Sequence, residues 1–283
     1  MKKLFTTLLS AMLFITATTT QAQNCCKKPA GNSMQALALN ASFKASHEAP
    51  LPFSYTAEKG AMMKVPTKGG ADANVFFIPA DEQTENVLIV VHEWWGLNDY
   101  IKKEAEDWQK RLGGKVAVYA IDLYDGQVAA DPETAGKLMS TLTPERGDAI
   151  IKGVLQKIGK GKKIATIGWC MGGSWSFRAS ALAGNEAAGC IMYYGFPEKD
   201  AAKVKAEKAD ILYIYGSQDG FIKRTDIDQL EKQVKANGHT FELHTYDAVH
   251  AFANPSNPKY NKAAAAEAQA HALKFLQTKL SIQ

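Results

Sequence analysis

A chain of 283 residues, 46% hydrophobic and 22% charged, with a formal net charge of +4, has the make-up of one large globule with a real core. That excludes a disordered or fibrous protein. No block of Lys and Arg interleaved with aromatic residues occurs, so nucleic acid is not an expected partner, and the Lys-rich stretch 199–208, alternating with Glu and Asp, reads as a solvated face.

The chain opens like a targeting segment. Lys2 and Lys3 precede an apolar stretch at 4–15, and Thr20-Gln21-Ala22 offers small residues where a signal peptidase cuts. Residues 1–22 are therefore expected to be a signal peptide, placing the mature chain in the periplasm or outside the cell. Asn24 stands before Cys25, where a lipoprotein signal needs a small residue, so a lipid anchor is not expected. No later stretch reaches the roughly 18 apolar residues of a membrane span. Residues 23–55 are weakly patterned and are expected to be a poorly ordered lead-in to a single domain over 56–283.

From there strand and helix signals alternate. Runs at 61–65 and 74–78 flank Gly69-Gly70 and predict a hairpin. The unbroken apolar run 86–91 predicts a strand buried on both faces. A helix follows over 102–112, stopped by Gly113-Gly114. A strand at 116–121 leads to helices over 133–142 and 145–158, the second opened by Thr143-Pro144. Then come strand 164–167, helix 174–182, strand 187–194, strand 211–215, helix 226–236, strand 241–246 and an Ala-rich helix over 260–279. Alternation of this kind predicts an α/β fold with a mostly parallel central sheet and helices on both faces.

In such a sheet, function collects at the carboxyl ends of the strands. Gly168-Trp169-Cys170-Met171-Gly172-Gly173 falls between a strand and a helix and has the G-x-S-x-G pattern of a nucleophile elbow, with cysteine in place of serine. The glycines let the chain reverse within about two residues. Cys170 would then sit at a helix N-terminus, where the macrodipole favours an anion. Asp219 and His250 each follow a later strand, so nucleophile, acid and histidine occur in the chain order of the α/β-hydrolase sheet. An imidazole can take the thiol proton, and a carboxylate on its far nitrogen fixes the tautomer. His47, His92, His239, His244 and His271 are less well placed: lead-in, an early strand end, a turn, a strand and a helix. The backbone amides of Met171 and of Trp94, in the early strand-end segment His92-Glu93-Trp94-Trp95-Gly96, are the candidate oxyanion-hole donors. Trp95, Trp169, Tyr124, Phe196 and Phe252 are strand-end or loop aromatics that could line a substrate pocket. Of the four cysteines, Cys190 lies in an apolar run and reads as a buried strand residue, and Cys25 and Cys26 are adjacent. No Cys/His cluster has zinc-ligand spacing, and neither a metal nor another cofactor is expected.

From about residue 62 to 280 the chain resembles the dienelactone hydrolase family, the carboxymethylenebutenolidases. The resemblance rests on Glu93-Trp94-Trp95-Gly96, on the Cys170 elbow, on Asp219 and on His250-Ala251-Phe252. It implies a single α/β-hydrolase domain without a large cap, cleaving an ester or lactone through an acyl-enzyme. It also implies that Glu93 is the acid that contacts the resting thiol and accepts its proton when substrate binds. Family members acting on dienelactone hold its carboxylate with arginines. Asn254 stands at one such position, and the other falls in Asp131-Pro132-Glu133-Thr134-Ala135, which has none. The expected partner is thus a small ester or lactone, with altered preference, and the expected assembly a monomer or small homo-oligomer. Two other classes stay open: a thiol-redox or metal-handling protein of the envelope built on Cys25-Cys26, and a catalytically silent binding protein on the same fold.

Overall fold

The computed structural model describes residues 34–282, together with residue 1; the leader, Cys25 and Cys26 lie outside the described residues. Eight strands form one sheet in the order β1-β2-β4-β3-β5-β6-β7-β8. Strands β1 (Ala61–Val65) and β2 (Ala73–Ile78) form the expected hairpin, and β2 runs antiparallel to β4 (Ala117–Ile121). From β4 the sheet is parallel through β3 (Asn86–Val91), β5 (Lys163–Trp169), β6 (Ala187–Tyr193), β7 (Asp210–Gly216) and β8 (Phe241–Tyr246). The middle strands are apolar and buried nearly end to end, as crossover helices on both faces demand. This is the α/β-hydrolase arrangement.

Local chemistry sets the helix starts. Asn98 caps α3 (Asp99–Arg111), Asp131 caps α4 (Pro132–Thr141) and Thr143 caps α5 (Pro144–Ile158), each side chain accepting from an amide of the first turn. In α4 and α5 a proline opens the helix, where no amide partner is lost. Helix α6 (Met171–Ala183) begins three residues earlier than the apolar pattern suggests, because its first turn is the elbow itself. Past α7 (Ala201–Ala206) come α8 (Arg224–Ala236) and α9 (Lys262–Leu280). The short α7 interrupts a stretch read from sequence only as a solvated face.

The lead-in departs most from expectation. Residues 34–47 are not poorly ordered: they form α1 (Met34–Ala38) and α2 (Ala41–Ala45), and Ala38 and Phe43 are fully buried. Asn40 caps α2 by accepting from the Phe43 amide. The end of α1 lies against Gly136 of α4, where a Cβ would meet the Ala38 carbonyl, and Gln35 donates to the Leu142 carbonyl at 3.3 Å. Burying one phenylalanine contributes about 2–3 kcal/mol toward holding two turns too short to be stable by themselves. No helix among the described residues is long and apolar enough to cross a membrane.

Candidate active site

The site forms where β3, β5, β6, β7 and β8 end. Cys170 follows β5 with φ 55° and ψ −121°, a conformation that non-glycine residues rarely adopt. Two glycines make room for it. A Cβ on Gly168 would collide with the carbonyl of Gly172, and one on Gly172 with the carbonyls of Val91 and His92 at the end of β3. The elbow is thus wedged against the neighbouring strand end, which carries Glu93. Cys170 is 2% exposed and is a free thiol, as is the fully buried Cys190.

Three side chains from separate loops meet in a line. His250 Nε2 lies 3.1 Å from Cys170 Sγ, and His250 Nδ1 lies 2.6 Å from Asp219 Oδ2. The other carboxylate oxygen of Asp219 accepts from the amides of Phe221 at 2.8 Å and Ile222 at 3.0 Å, which aims the carboxylate at the ring. Burial alone would pull the His250 pKa down. The charges of Cys170 and Asp219, with hydrogen bonds to both, outweigh it and hold the imidazole well above its ordinary value. Around the ring stand Phe43, Tyr194, Phe196 and Phe221, with centroids 5.2 to 6.5 Å from it.

Glu93 is buried beside this line, but the thiol engages His250 and not Glu93. Instead Glu93 accepts from Tyr194 Oη at 3.4 Å and from Asn254 Nδ2. Burial pushes its carboxyl up to about 7, against the opposing pull of the His250 charge and of these two donors. The backbone amides of Trp94, in the loop after β3, and of Met171, first residue of α6, have no backbone acceptor among the described residues.

The pocket residues divide. Trp95, Trp169 and Asn254 line a cavity of about 450 Å³ that reaches Glu93. Asn254 is not free to hold a substrate group: its amide nitrogen donates to Glu93 and its oxygen accepts from Ser256 at 2.8 and 2.7 Å. Phe196 borders a second depression with Met34, Leu37 and Phe221. Two of the expected pocket aromatics lie in neither. Phe252 is fully buried against Tyr194 and Tyr246, and Tyr124 is buried with its hydroxyl 3.1 Å from Met171 Sδ. Both point back into packing, because the loop after β8 and the loop after β4 turn their rings inward.

His47 was the residue least visible from sequence. The strap formed by α1, α2 and His47 closes over the line. The His47 ring lies 4.6 Å from Trp94 and 5.5 Å from His250, while Phe43 packs edge-on to Trp94 at 5.2 Å. Burial, reinforced by the neighbouring His250 charge, lowers the His47 pKa to about 4. Among the described residues His47, Cys170 and His250 bring ligand-type atoms within 4.8 Å of one another, a grouping that spacing along the chain conceals. The only sequence trace of the strap is Asn40 three residues before Phe43, a helix cap ahead of a single large apolar residue.

An eight-stranded, mostly parallel sheet with a residue of positive φ at the β5–α6 elbow and an acid–histidine pair from later strand ends defines a hydrolase of the α/β-hydrolase class. The family model "Dienelactone hydrolase family" matches residues 73–280, and the chain belongs to that family, whose members act on lactone or ester bonds. It is similar to protein usf of Aquifex pyrophilus, with 30% identity over 178 residues, covering 59% of this chain and 76% of that one. Against the carboxymethylenebutenolidase of Pseudomonas putida it is 30% identical over 205 residues, covering 67% of this chain and 84% of the relative. The fold also superposes on a dienelactone hydrolase-like promiscuous phosphotriesterase from metagenomic libraries. There the TM-score is 0.65 and the identity 19%, covering 78% of this chain and 99% of that structure.

Proposed function

We propose that this chain hydrolyses small esters or lactones through an acyl-enzyme on Cys170, after export directed by residues 1–22. The observation that carries the reading is the continuous hydrogen-bonded line from Asp219 through His250 to Cys170, at 2.6 and 3.1 Å, ending at a strained elbow. His250 Nε2 holds the proton drawn from the thiol while sulfur attacks the carbonyl, and Asp219 holds the ring and balances the imidazolium. The amides of Met171 and Trp94 receive the developing oxyanion, and such donors are commonly worth about 3–4 kcal/mol each. His250 then protonates the departing oxygen, and water repeats the sequence on the thioester. Glu93, with a carboxyl pushed up to about 7, is able to hold or release a proton near neutrality and serves as the acceptor for the thiol when it turns away from His250.

Substrate approaches by the cavity beside Glu93, whose lining includes Trp95 and Trp169 but not Cys170 or His250, so reaching the sulfur requires Glu93 and its neighbours to move. In the cavity walls Arg111 pairs with Glu104 at 3.2 Å and Lys103 with Asp107 at 2.5 Å, and the one cation there without an ion pair among the described residues is Lys262, a point charge and not a bidentate clamp. Elsewhere Arg178 pairs with Asp148 at 2.6 Å and Arg224 with Asp228 at 2.7 Å. With no arginine free to clamp a carboxylate, neutral esters or lactones are the preferred substrates. The test combines alkylation with iodoacetamide and peptide mapping with turnover of a neutral aryl ester. Loss of turnover in step with modification of Cys170 supports the reading. Full turnover after complete Cys170 alkylation rejects it, and inactivation tracking Cys25-Cys26 alone would point to thiol-redox chemistry.

A further inference from the structure

His47 has no part in the cycle above, yet it is the most exactingly placed side chain of the strap. It is only 6% exposed. Its Nδ1 lies 2.7 Å from the Phe43 carbonyl, which can only accept, and 3.0 Å from Ser46 Oγ, whose own hydrogen goes to that carbonyl at 2.8 Å; this assigns the hydrogen to Nδ1 and the lone pair to Nε2. That Nε2 is buried and has no hydrogen-bond partner. A buried acceptor without a donor calls for an explanation, and an unmodified core histidine does not supply one.

We propose that His47, Cys170 and His250 together form a binding site for a thiophilic cation of the Zn²⁺ type. The ligand atoms of the three lie within 4.8 Å of one another, and all three residues are buried. One thiol sulfur and two imidazole nitrogens suit Zn²⁺ and not Mg²⁺ or Ca²⁺, which take oxygen ligands. Both imidazoles have the backing that metal-binding histidines need on the far nitrogen: a backbone carbonyl for His47 and the Asp219 carboxylate for His250. Bonds of about 2.0–2.3 Å set tetrahedral ligand atoms about 3.3–3.7 Å apart. The Cys170–His250 pair stands at 3.1 Å, so the adjustment falls mainly on His47, which sits just past the C-terminal end of α2. Binding displaces the thiol proton to solvent, leaves both imidazoles neutral and keeps the fourth position for water.

Resting on the hydrolase reading, such an ion has a second effect. It occupies the sulfur that must attack and ties the strap to the nucleophile, so it silences the enzyme reversibly. The test titrates the chelator-treated full chain with Co²⁺, reading the near-ultraviolet band of a thiolate–cobalt bond, with Zn²⁺ as competitor. The expected result is one equivalent bound, displaced by Zn²⁺, with the band abolished in Cys170→Ala and retained in a Cys25→Ser/Cys26→Ser double variant. His47→Ala and the size-matched His47→Gln should each weaken binding at least tenfold while keeping the far-ultraviolet dichroism of the parent. A band that survives Cys170→Ala, unchanged affinity in both folded His47 variants, or no stoichiometric binding would overturn the proposal. Aryl-ester turnover is followed alongside: activity in chelator that Zn²⁺ abolishes supports the regulatory role. A cobalt band in a chain that never hydrolyses ester leaves the metal site standing and rejects the hydrolase reading and the silencing role with it.

Discussion

Replacing Glu93 with glutamine tests the electrostatics of the site without touching the nucleophile. The Glu93 carboxyl ionises at about 7 in the fold, against an ordinary value near 4.5. Between those values the unfolded chain has given up the proton and the folded chain has not, so stability falls as pH rises. The contribution is whole below about 4.5 and lost above about 7. At 1.36 kcal/mol per pKa unit, a shift of this size removes about 3 kcal/mol of stability. Glutamine is neutral throughout and nearly the same size. Its NH₂ stands in for one accepting oxygen and can only donate, so the hydrogen bond from Tyr194 or from Asn254 is lost at a cost of about 1 kcal/mol, equal at every pH. The difference between Glu93→Gln and the parent should therefore be near −1 kcal/mol at pH 4 and near +2 kcal/mol at pH 8. Urea unfolding followed by tryptophan fluorescence across that range reads it directly. With an m-value of about 3 kcal/mol/M, the relative midpoint moves by about 1 M. A difference that stays flat from pH 4 to 8 would mean that burial does not hold Glu93 protonated, and the argument fails.

Cys170→Ala and His250→Ala should stay folded and lose aryl-ester hydrolysis almost wholly, and turnover near the parent rate in Cys170→Ala would reject the proposed nucleophile. Asp219→Asn should fold and lose about 10⁴ in kcat, because the amide no longer selects the His250 tautomer. A neutral ester should be turned over with higher kcat/KM than its carboxylate-bearing analogue; the reverse preference, lost in Arg224→Ala, would reveal an anion clamp at the start of α8. Phe43→Ala should cost about 3–5 kcal/mol if the strap and core unfold together, whereas an unchanged midpoint would show that the strap opens independently. The exported chain should begin near Gln23, and an intact mass retaining residues 1–22 would contradict the leader.

The strands were legible because they are long apolar runs, and the elbow because its glycines leave few other conformations. Cys170, Asp219 and His250 could be grouped from sequence since each falls just after a strand, and parallel strands bring their ends to one edge whatever lies between. The strap was not legible. Two five-residue helices leave no periodicity to detect, and their order depends on Phe43 and Ala38 finding a place beside Trp94 and α4. His47 was discounted for the same reason: distance along the chain says nothing about a loop that folds back. The aromatic residues were recognisable as strand-end side chains, but whether a ring faces cavity or core turns on one or two loop dihedrals. Trp95 and Trp169 went one way, Phe252 and Tyr124 the other.

The wedging of Gly172 against the carbonyls of Val91 and His92 also divides the molecule by how it breathes. The first turn of α6 is packed against the end of β3, so the paired amides of β3 and β5 beneath it should exchange with solvent only when the whole sheet opens. The strap is held by a few side chains and the surface ion pair of Lys44 with Glu133, and its amides should exchange through small local openings. The floor of the site should therefore keep its shape while the strap above His250 opens and closes locally.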